Sequence, residues 1–146
     1  MAFLVQDDDG SVASATAYVT TSFVDSYFSD RNNSAWTGSS AVKQAAVIKA
    51  TDYIDRRYSF TGYTRTTTQG TEWPRLDVID RNDRLVSGIP VEVQEATAEL
   101  ALRSLSSDLA PDPTADELNG EVRFSSIKVG PIEEKKSYSY QREFPR

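Results

Sequence analysis

The chain contains neither cysteine nor histidine in its 146 residues. Their absence excludes thiol nucleophiles, Ser-His and Cys-His dyads, and structural zinc sites built on thiolate or imidazole ligands. Only carboxylate, lysine or tyrosine chemistry remains open to the protein. A chain of this length buries roughly 68 to 70% of its unfolded surface on folding, so its core needs neither a disulfide nor a metal.

Long hydrophobic runs and an excess of positive charge are missing as well. No apolar run approaches ~20 residues, and the segment before residue 6 leads at once into Asp7, Asp8 and Asp9, which is unlike a signal peptide. We therefore expect a cytosolic protein that makes no membrane contact. The net charge of -6 and the pI near 4.7 argue against tight, indiscriminate binding to a phosphate backbone. Any contact with DNA should be weak or local.

Apolar residues at helical spacing are present in three segments. They predict a first helix from Thr20 or Thr21 to about Arg31, a second from about Ala41 to Tyr58, and a third from about Val91 to Leu109. Ser22 and Asp25 have capping-box-like spacing in the first helix, and Asp52 and Asp55 are predicted on the outer side of the second. The predicted inward faces comprise Phe23, Val24, Tyr27 and Phe28, then Val42, Ala46, Val47, Ala50, Tyr53 and Ile54, then Val93, Ala96, Thr97, Leu100, Ala101 and Leu105, with Ala98, Leu102 and Leu109 widening the third face.

The two ends of the chain are predicted to be extended. Residues 3–6 and 12–19 are β-prone and flank Asp8-Asp9-Gly10, a turn signal, which predicts an N-terminal hairpin or arm. The three consecutive aspartates lack the alternate spacing of a calcium loop, which favours a solvated turn. Beyond Pro111, residues 122–129 are β-prone, Gly130-Pro131 predicts a turn, and residues 135–146 alternate aromatic residues with serines. This C-terminal arm either pairs with the strand edge of a partner or is a disordered terminus.

A connection of ~30 residues between the second and third helices is long for a compact domain and has to be fixed in place. We call residues 59–88 the crossover loop. Trp73 is its predicted anchor, Pro74 fixes its own φ, and Arg75 supplies a forked donor for a carboxylate or for carbonyl groups. Pro90 suits the first position of the third helix. Trp73, Pro74, Arg75 and Pro90 are therefore predicted structural anchors, and the alternative for Trp73 is a hot spot that faces a partner.

The predicted fold is thus mainly α. It is a small bundle of three main helices with a long crossover loop that contains Trp-Pro, short N-terminal β segments and an extended, β-prone C-terminal arm. The predicted division is a helical domain over residues 1–132 and an arm over residues 133–146.

Several motifs of the chain resemble those of the head-to-tail connector adaptors of tailed phages. They are the Asp-rich start, Ala17-Tyr18-Val19-Thr20, the stretch from Ala45 to Asp55, Glu72-Trp73-Pro74-Arg75, Ile89-Pro90, the helix from Val93 to Leu105, and the stretch from Lys128 to Glu133. The resemblance covers most of the chain. Some relatives in this group carry the label DnaT-like single-stranded-DNA-binding protein.

The resemblance implies a structural neck protein with no catalytic site, cofactor or metal. Such an adaptor forms a ring, commonly of twelve subunits, between the portal protein and the next neck or tail protein. It assembles in the host cytoplasm and resides in the virion, where DNA passes through the lumen without specific binding. An acidic protein suits such a channel because it does not grip phosphates. Portal docking by Tyr138, Tyr140 and Phe144 is expected from the composition of the arm alone.

The first alternative is a single-stranded-DNA-binding protein. Its aromatic residues would stack on bases, and its arginines would contact the phosphates. The candidate residues are Tyr53, Tyr58, Tyr63, Trp73, Tyr138 and Tyr140 with Arg56, Arg57, Arg65 and Arg75. A structural interpretation competes for Arg56 and Arg57, because positive charge in the last turn suits the helix dipole.

The remote alternative is a metal-dependent nuclease. Pro111-Asp112 followed by Glu133-Glu134-Lys135 imitates an arrangement of metal-binding carboxylates with a charge-stabilising lysine. Such short patterns recur by chance.

Overall fold

The computed structural model describes residues 2–114 and the backbone of residues 122–128 and 133–138. The elements are α1 (Thr21–Asp30), α2 (Ser40–Arg57), β1 (Tyr63–Thr64), β2 (Arg75–Leu76), α3 (Val91–Ser104), β3 (Val122–Lys128) and β4 (Glu133–Tyr138). The prediction of a mainly helical fold with three main helices is confirmed. Spatial contacts divide the chain into two units, Met1–Ala110 and Pro111–Arg146.

The core of the first unit forms where α2 packs against α3. Small residues face each other there: Ala46 and Ala50 on α2, and Ala98 and Ala101 on α3 are all buried. Small side chains let the two backbones approach closely, and each alanine also favours the helix it belongs to. The two helices therefore form a closely packed pair, and the remaining elements of the unit pack around it.

The shorter helix α1 closes one side of this core with Val24 and Phe28, which are buried. Thr20 caps it by accepting a 3.0 Å hydrogen bond from the Phe23 backbone N–H. The predicted capping pair of Ser22 and Asp25 is wrong. Asp25 instead accepts hydrogen bonds from Trp36 Nε1 at 2.7 Å and from Lys43 Nζ at 2.8 Å, so it joins α1 to the following connection and to α2.

Two details of the predicted inward faces are wrong. Val42 is 48% exposed, because the buried face of α2 begins one turn later, at Ala46. On α3, Ala96 is exposed while Thr97, Ala98 and Ala101 are buried. The buried face of α3 is therefore turned toward its small residues, which gives the closest fit to the alanines of α2.

Helix α3 ends at Ser104, five residues before the predicted end at Leu109. The hydroxyls of Ser106 and Ser107 each donate to the Arg103 carbonyl, at 3.2 and 3.3 Å. Serine hydroxyls that bond to nearby backbone compete with the hydrogen bonds that would continue a helix. The prediction of a longer helix depended mainly on apolar spacing, which does not take this competition into account.

The N-terminal segment is neither a hairpin nor an arm, so that prediction is wrong. Val5 and Ala17 form a parallel bridge, with Gln6 N–H donating to the Ala17 carbonyl at 2.9 Å. The predicted turn is present, since Gly10 N–H donates to the Asp7 carbonyl at 3.0 Å. The chain then loops so that residues 15–19 run in the same direction as residues 4–6, and Ala15, Ala17, Tyr18 and Val19 are buried in the core.

The side chain of Gln6 holds this loop together. Its Nε2 donates to the Val12 carbonyl at 3.1 Å, and its Oε1 accepts from the Val12 N–H at 3.1 Å. The same Nε2 also donates to Thr71 Oγ1 at 3.2 Å in the crossover loop. The buried Gln6 therefore connects the N-terminal segment to the loop between α2 and α3.

The crossover loop has short regular structure of its own. Strands β1 and β2 pair antiparallel, with Tyr63 opposite Leu76 and Thr64 opposite Arg75. Gly62 has φ +73°, and a Cβ there would lie 2.1 Å from the Leu76 carbonyl oxygen, so no other residue fits without movement. A second antiparallel bridge joins Ile79 to Leu85.

In the second unit, β3 and β4 form an antiparallel pair in which Lys128 lies opposite Glu133. The predicted boundary between residues 132 and 133 falls between these strands. Tyr138 is the last residue of β4, while Tyr140 and Phe144 lie outside the described residues.

Candidate functional site

Trp73 and Pro74 lie inside the first unit. The Trp73 side chain is 5% exposed, and its ring meets that of Phe60 edge to face, with centroids 5.6 Å apart. Pro74 follows through a cis peptide bond and is fully buried. The indole Nε1 has no hydrogen-bond partner among the described residues. With so little exposed surface, Trp73 offers no face to a partner or to a nucleic-acid base.

Arg75 ties the middle of the crossover loop to its start. Its Nε donates to the Thr61 carbonyl at 2.8 Å, and its Nη2 donates to the Gly62 carbonyl at 2.9 Å. Nη1 donates to the Glu72 carboxylate at 2.6 Å and to the Glu72 carbonyl at 3.2 Å. The guanidinium is 9% exposed in this ion pair, so its donors are used within the protein. We call residues 71–75 the clamp.

Two polar residues that sequence analysis missed support the clamp. Gln69 Nε2 donates to the carbonyls of Thr71, at 2.7 Å, and Pro74, at 3.0 Å. The Thr71 hydroxyl donates to the Trp73 carbonyl at 2.7 Å. These bonds satisfy backbone groups that burial would otherwise leave unpaired. Neither residue belongs to a recognisable motif, so their roles depend on the three-dimensional path of the loop.

Pro90 is the N-cap of α3 and provides no side-chain hydrogen bond. Its neighbour Ile89 is held instead by Asp8, whose carboxylate accepts the Ile89 N–H at 3.0 Å. The first of the predicted turn aspartates thus has a structural role that its local sequence did not indicate.

The clamp is attached to α2 through Asp55 and Tyr18. The Tyr18 hydroxyl donates to Asp55 Oδ1, and the Glu72 N–H donates to Asp55 Oδ2 at 3.2 Å. The Trp73 N–H donates to the Tyr18 hydroxyl oxygen at 3.2 Å. Asp55 was predicted on the outer side of α2, and that prediction is wrong because the crossover loop covers this part of the helix. Burial raises the pKa of the Asp55 carboxyl to about 6 and raises the pKa of Tyr18 as well.

The far end of α2 carries a cleft with three cationic side chains, Lys49, Arg56 and Arg57. We call it the basic groove; it encloses about 400 Å³ between α2 and the end of α3. Its lining comprises Lys49, Asp52, Tyr53, Arg56, Arg57, Ser104, Ser107, Asp108, Leu109 and Ala110. Neither the Arg56 nor the Arg57 side chain forms a hydrogen bond or salt bridge with another described residue. Their donors are therefore available to an anion.

The candidate DNA-contacting residues do not form one surface. Tyr53, Arg56 and Arg57 come together in the basic groove, and Lys49, which sequence analysis missed, joins them. Trp73 and Arg75 are buried in the clamp, so including them was wrong. Tyr58 and Tyr63 are 54% and 71% exposed but lie outside this groove. The side chains of Tyr138 and Tyr140 lie outside the described residues.

A second groove, on the other side of α2, has the opposite character. Its lining is mostly apolar, and its charged residues are Glu92 and Glu99 of α3. It encloses about 350 Å³ and is lined by Ile54, Tyr58, Phe60, Glu92, Val93, Ala96, Glu99 and Leu100. An acidic rim repels phosphates, so this groove is not suited to a nucleic acid.

Among the described residues, no group of three or more acidic side chains is arranged to hold a metal ion. Asp9, one of the three consecutive aspartates, accepts the Ser11 N–H at 3.0 Å in the turn. The side chains of Glu133, Glu134 and Lys135, on which the nuclease alternative depends, lie outside the described residues. Within the described part of the chain, no helix is both long and apolar enough to cross a bilayer.

No curated protein and no solved structure matches the chain. A family model described as "Putative DnaT-like ssDNA binding protein" matches residues 1–143. This description agrees with the single-stranded-DNA alternative and does not specify the phage connectors. Because the match covers nearly the whole sequence, the chain belongs to this DnaT-like family.

Proposed function

We propose that the protein binds single-stranded DNA in the basic groove. The observation that carries the proposal is that Lys49, Arg56 and Arg57 converge beside Tyr53 while the side chains of the two arginines have no partner among the described residues. Cations that follow a phosphate backbone, with an aromatic ring on which a base stacks, are the usual elements of sequence-tolerant single-strand binding. The description of the family supports the same function.

The composition of the groove sets the expected strength of binding. Asp52 and Asp108 face the three cations, and the whole chain carries a net charge of -6. Both features oppose a polyanion, so the binding should be weak at physiological salt. If all three cations contact phosphates, log K falls with log salt with a slope of about -2, since each contact on a single strand contributes about -0.7.

The test is fluorescence anisotropy with a labelled oligothymidine at low and raised salt. We expect salt-sensitive binding that is strongly weakened in the double variant Arg56→Ala/Arg57→Ala and weakened less in Tyr53→Ala. The matched control is Arg81→Ala, because Arg81 is an exposed arginine of the crossover loop. Equal binding by the double variant and the control would show that DNA does not bind in the basic groove. No binding of oligothymidine by the unaltered protein at low salt would refute the DNA-binding function.

A second function, that of a structural neck adaptor, is favoured by a different observation. The crossover loop exposes apolar side chains in cross-strand pairs: Tyr63 is 71% exposed opposite Leu76 at 43%, and Ile79 is 60% exposed opposite Leu85 at 74%. The clamp fixes the loop from which they project. Apolar groups held rigidly in solvent are typical of protein–protein interfaces.

For this second function we propose a ring of about twelve copies that joins a phage portal to the next neck or tail protein. The protein would reside in the virion neck after assembly in the host cytoplasm. It would have no catalytic role, and its acidic character would let DNA slide through the lumen. Support comes from the exposed apolar pairs and from the motif resemblance.

Mass measurement and electron microscopy of the protein with its portal test the adaptor function. A closed ring that is lost in Tyr63→Ser/Leu85→Ser would support it. Arg81→Ala is again the control, since it alters the same loop without removing an apolar side chain. A protein that binds oligothymidine and stays monomeric with the portal would support the first function alone.

A further inference from the structure

The outward side of α3 carries a row of exposed residues. They are Glu92, Ala96, Glu99 and Arg103, and we call them the α3 strip. Successive members are three or four positions apart, so they are neighbours on one side of the helix. The opposite side of α3 is the buried one that packs against α2. The strip is therefore a face of the helix that the fold itself does not use.

Two mostly apolar grooves follow the α3 strip from one end to the other. The second groove described above contains Glu92, and a further groove of about 500 Å³ contains Arg103. Both grooves are lined by Glu99 and Leu100, so they meet near the middle of the helix. Apolar surface that continues along a whole helix is typical of a contact with another protein.

The charges at the two ends of the α3 strip are opposite and unused. Glu92 lies in the first turn of α3 and Arg103 in the last. Neither side chain forms a hydrogen bond or salt bridge with another described residue. Glu99, one turn before Arg103, instead accepts the hydroxyl of Tyr27 in α1 at 2.9 Å. Each end of the strip thus offers the charge that the other end lacks.

We propose that two copies of the chain associate through the α3 strip, with the two helices antiparallel and related by a two-fold axis. Such a contact is isologous, because both copies use the same surface. It uses none of the cations of the basic groove and none of the exposed pairs of the crossover loop. The dimer therefore requires neither of the functions proposed above.

The charges determine the direction in which the second helix lies. Full antiparallel overlap of α3 (Val91–Ser104) with the same helix of a second copy places residue 91 opposite residue 104. Glu92 of each copy then faces Arg103 of the other, which gives one ion pair at each end of the contact. A parallel alignment would instead place Glu92 opposite Glu92 and Arg103 opposite Arg103. Like charges suppress that arrangement, so the antiparallel one is favoured.

The middle of the contact determines its strength. The alternating spacing of three and four residues is that of the contact positions in a two-helix coiled coil. In the antiparallel alignment Ala96, which is small, faces Glu99 of the second copy. At one edge of the strip Val93, which is half-buried, lies beside Leu100 of the second copy. The two Glu99 carboxylates are near the axis and repel each other, so the dimer should be weak and form only at high protein concentration.

Sedimentation equilibrium of the full chain over a concentration series tests the dimer. Glu92→Arg and Arg103→Glu should each lower the association constant about tenfold, because each turns both ion pairs into like-charged pairs. An equimolar mixture of the two variants should recover the association of the unaltered protein, since opposite charges then face each other at both ends. Glu99→Gln should strengthen association, because it removes the repulsion at the axis.

The matched control is Arg81→Glu, which makes the same change of charge as Arg103→Glu on an exposed arginine of the crossover loop. Equal weakening by the control, or no recovery in the mixture, would overturn the antiparallel contact. A protein that stays monomeric at every concentration would also overturn it and would leave the α3 strip to a different partner.

The absence of cysteine provides a second measurement that does not depend on the charge variants. The chain has no cysteine, so a single introduced thiol can form a disulfide only with a second copy. Ala96→Cys should give a disulfide-linked dimer on mild oxidation, because both copies of this position lie near the axis. Arg81→Cys should remain monomeric, and equal cross-linking of the two variants would refute the contact.

Discussion

The clamp and the basic groove use arginine in opposite ways. Arg75 directs its donors at Glu72 and at the carbonyls of residues 60–62, inside the protein. Arg56 and Arg57 lie in the last turn of α2, where their side chains make no hydrogen bond or salt bridge with a described residue and line an open cleft. An arginine whose donors are already satisfied stabilises the fold, whereas one with spare donors can bind a ligand.

This difference separates a structural role from a DNA-binding role, which the sequence alone could not separate. Trp73 and Arg75 were predicted as structural anchors but were also candidates for contact with DNA, and their burial assigns them to the core. Tyr53, Arg56 and Arg57 remain accessible. Substitutions in the two regions should therefore have different consequences: those in the clamp alter stability, and those in the groove alter binding.

Truncating Trp73 should have the largest effect. Trp73→Ala is expected to lower the free energy of unfolding by about 3–5 kcal/mol, because it leaves a cavity beside Phe60. Trp73→Phe is the control and should cost much less, since it keeps an aromatic ring and removes an indole N–H that has no described partner. Urea denaturation followed by circular dichroism measures both, and a loss under about 1 kcal/mol for Trp73→Ala would contradict the clamp.

Removing the Arg75 guanidinium should have the next largest effect. Arg75→Gln is expected to lower the free energy of unfolding by about 2–3 kcal/mol, because several loop carbonyls lose a charged donor. The matched change is Glu72→Gln. The Glu72 side chain is 45% exposed, so screening by solvent should limit its loss to below about 1 kcal/mol. Equal losses would mean that the ion pair, and not the carbonyl bonds, holds the loop.

The groove arginines should matter little for stability and much for binding. Arg56→Ala/Arg57→Ala is expected to change the free energy of unfolding by no more than about 0.5 kcal/mol per site. The same double variant should reduce the steepness of the salt dependence of oligothymidine binding by about 1.4, which is two contacts at about 0.7 each. Denaturation and anisotropy on one preparation compare the two. A strongly destabilised variant would show that these arginines are needed for the stability of α2.

The smallest effect on stability is expected at the C-terminal arm. Tyr140→Ala should leave the free energy of unfolding unchanged and weaken assembly with a portal, if the arm is the docking segment. Denaturation and sedimentation with the portal measure the two effects. Destabilisation equal to that of Trp73→Ala would show that the division into a helical domain and a C-terminal arm is mistaken.

Local signals in the sequence predicted the parts of the fold that depend on neighbouring residues. Apolar spacing located three helices, and Asp8-Asp9-Gly10 predicted the turn that Gly10 completes. The unusual length of the crossover loop, together with Trp73, indicated that something had to fix it. Each of these signals lies within a few residues of the structure it predicts.

Contacts between distant segments account for most of what the sequence did not predict. Asp55 was placed facing solvent because nothing near it indicates that residues 72 and 73 return to cover it. Residues 3–19 were predicted as a hairpin or arm from their β-prone segments and the turn between them. The parallel bridge that the structure shows needs the chain to loop between its two strands. That loop depends on the side chain of Gln6, which no local signal indicated. For the proposed basic groove, sequence composition supplied candidate arginines but could not separate the arginine with partners inside the protein, Arg75, from Arg56 and Arg57, whose side chains have no described partner.

The amide of Gln6 performs the task of a missing strand neighbour. Its oxygen and nitrogen meet the N–H and C=O of Val12 in the way that an adjacent peptide unit would. A carboxylate of the same shape cannot replace it, since an ionised oxygen would confront the Val12 carbonyl. Slow chemical ageing of this glutamine to glutamate would therefore undo the N-terminal loop while adding almost no mass to the molecule.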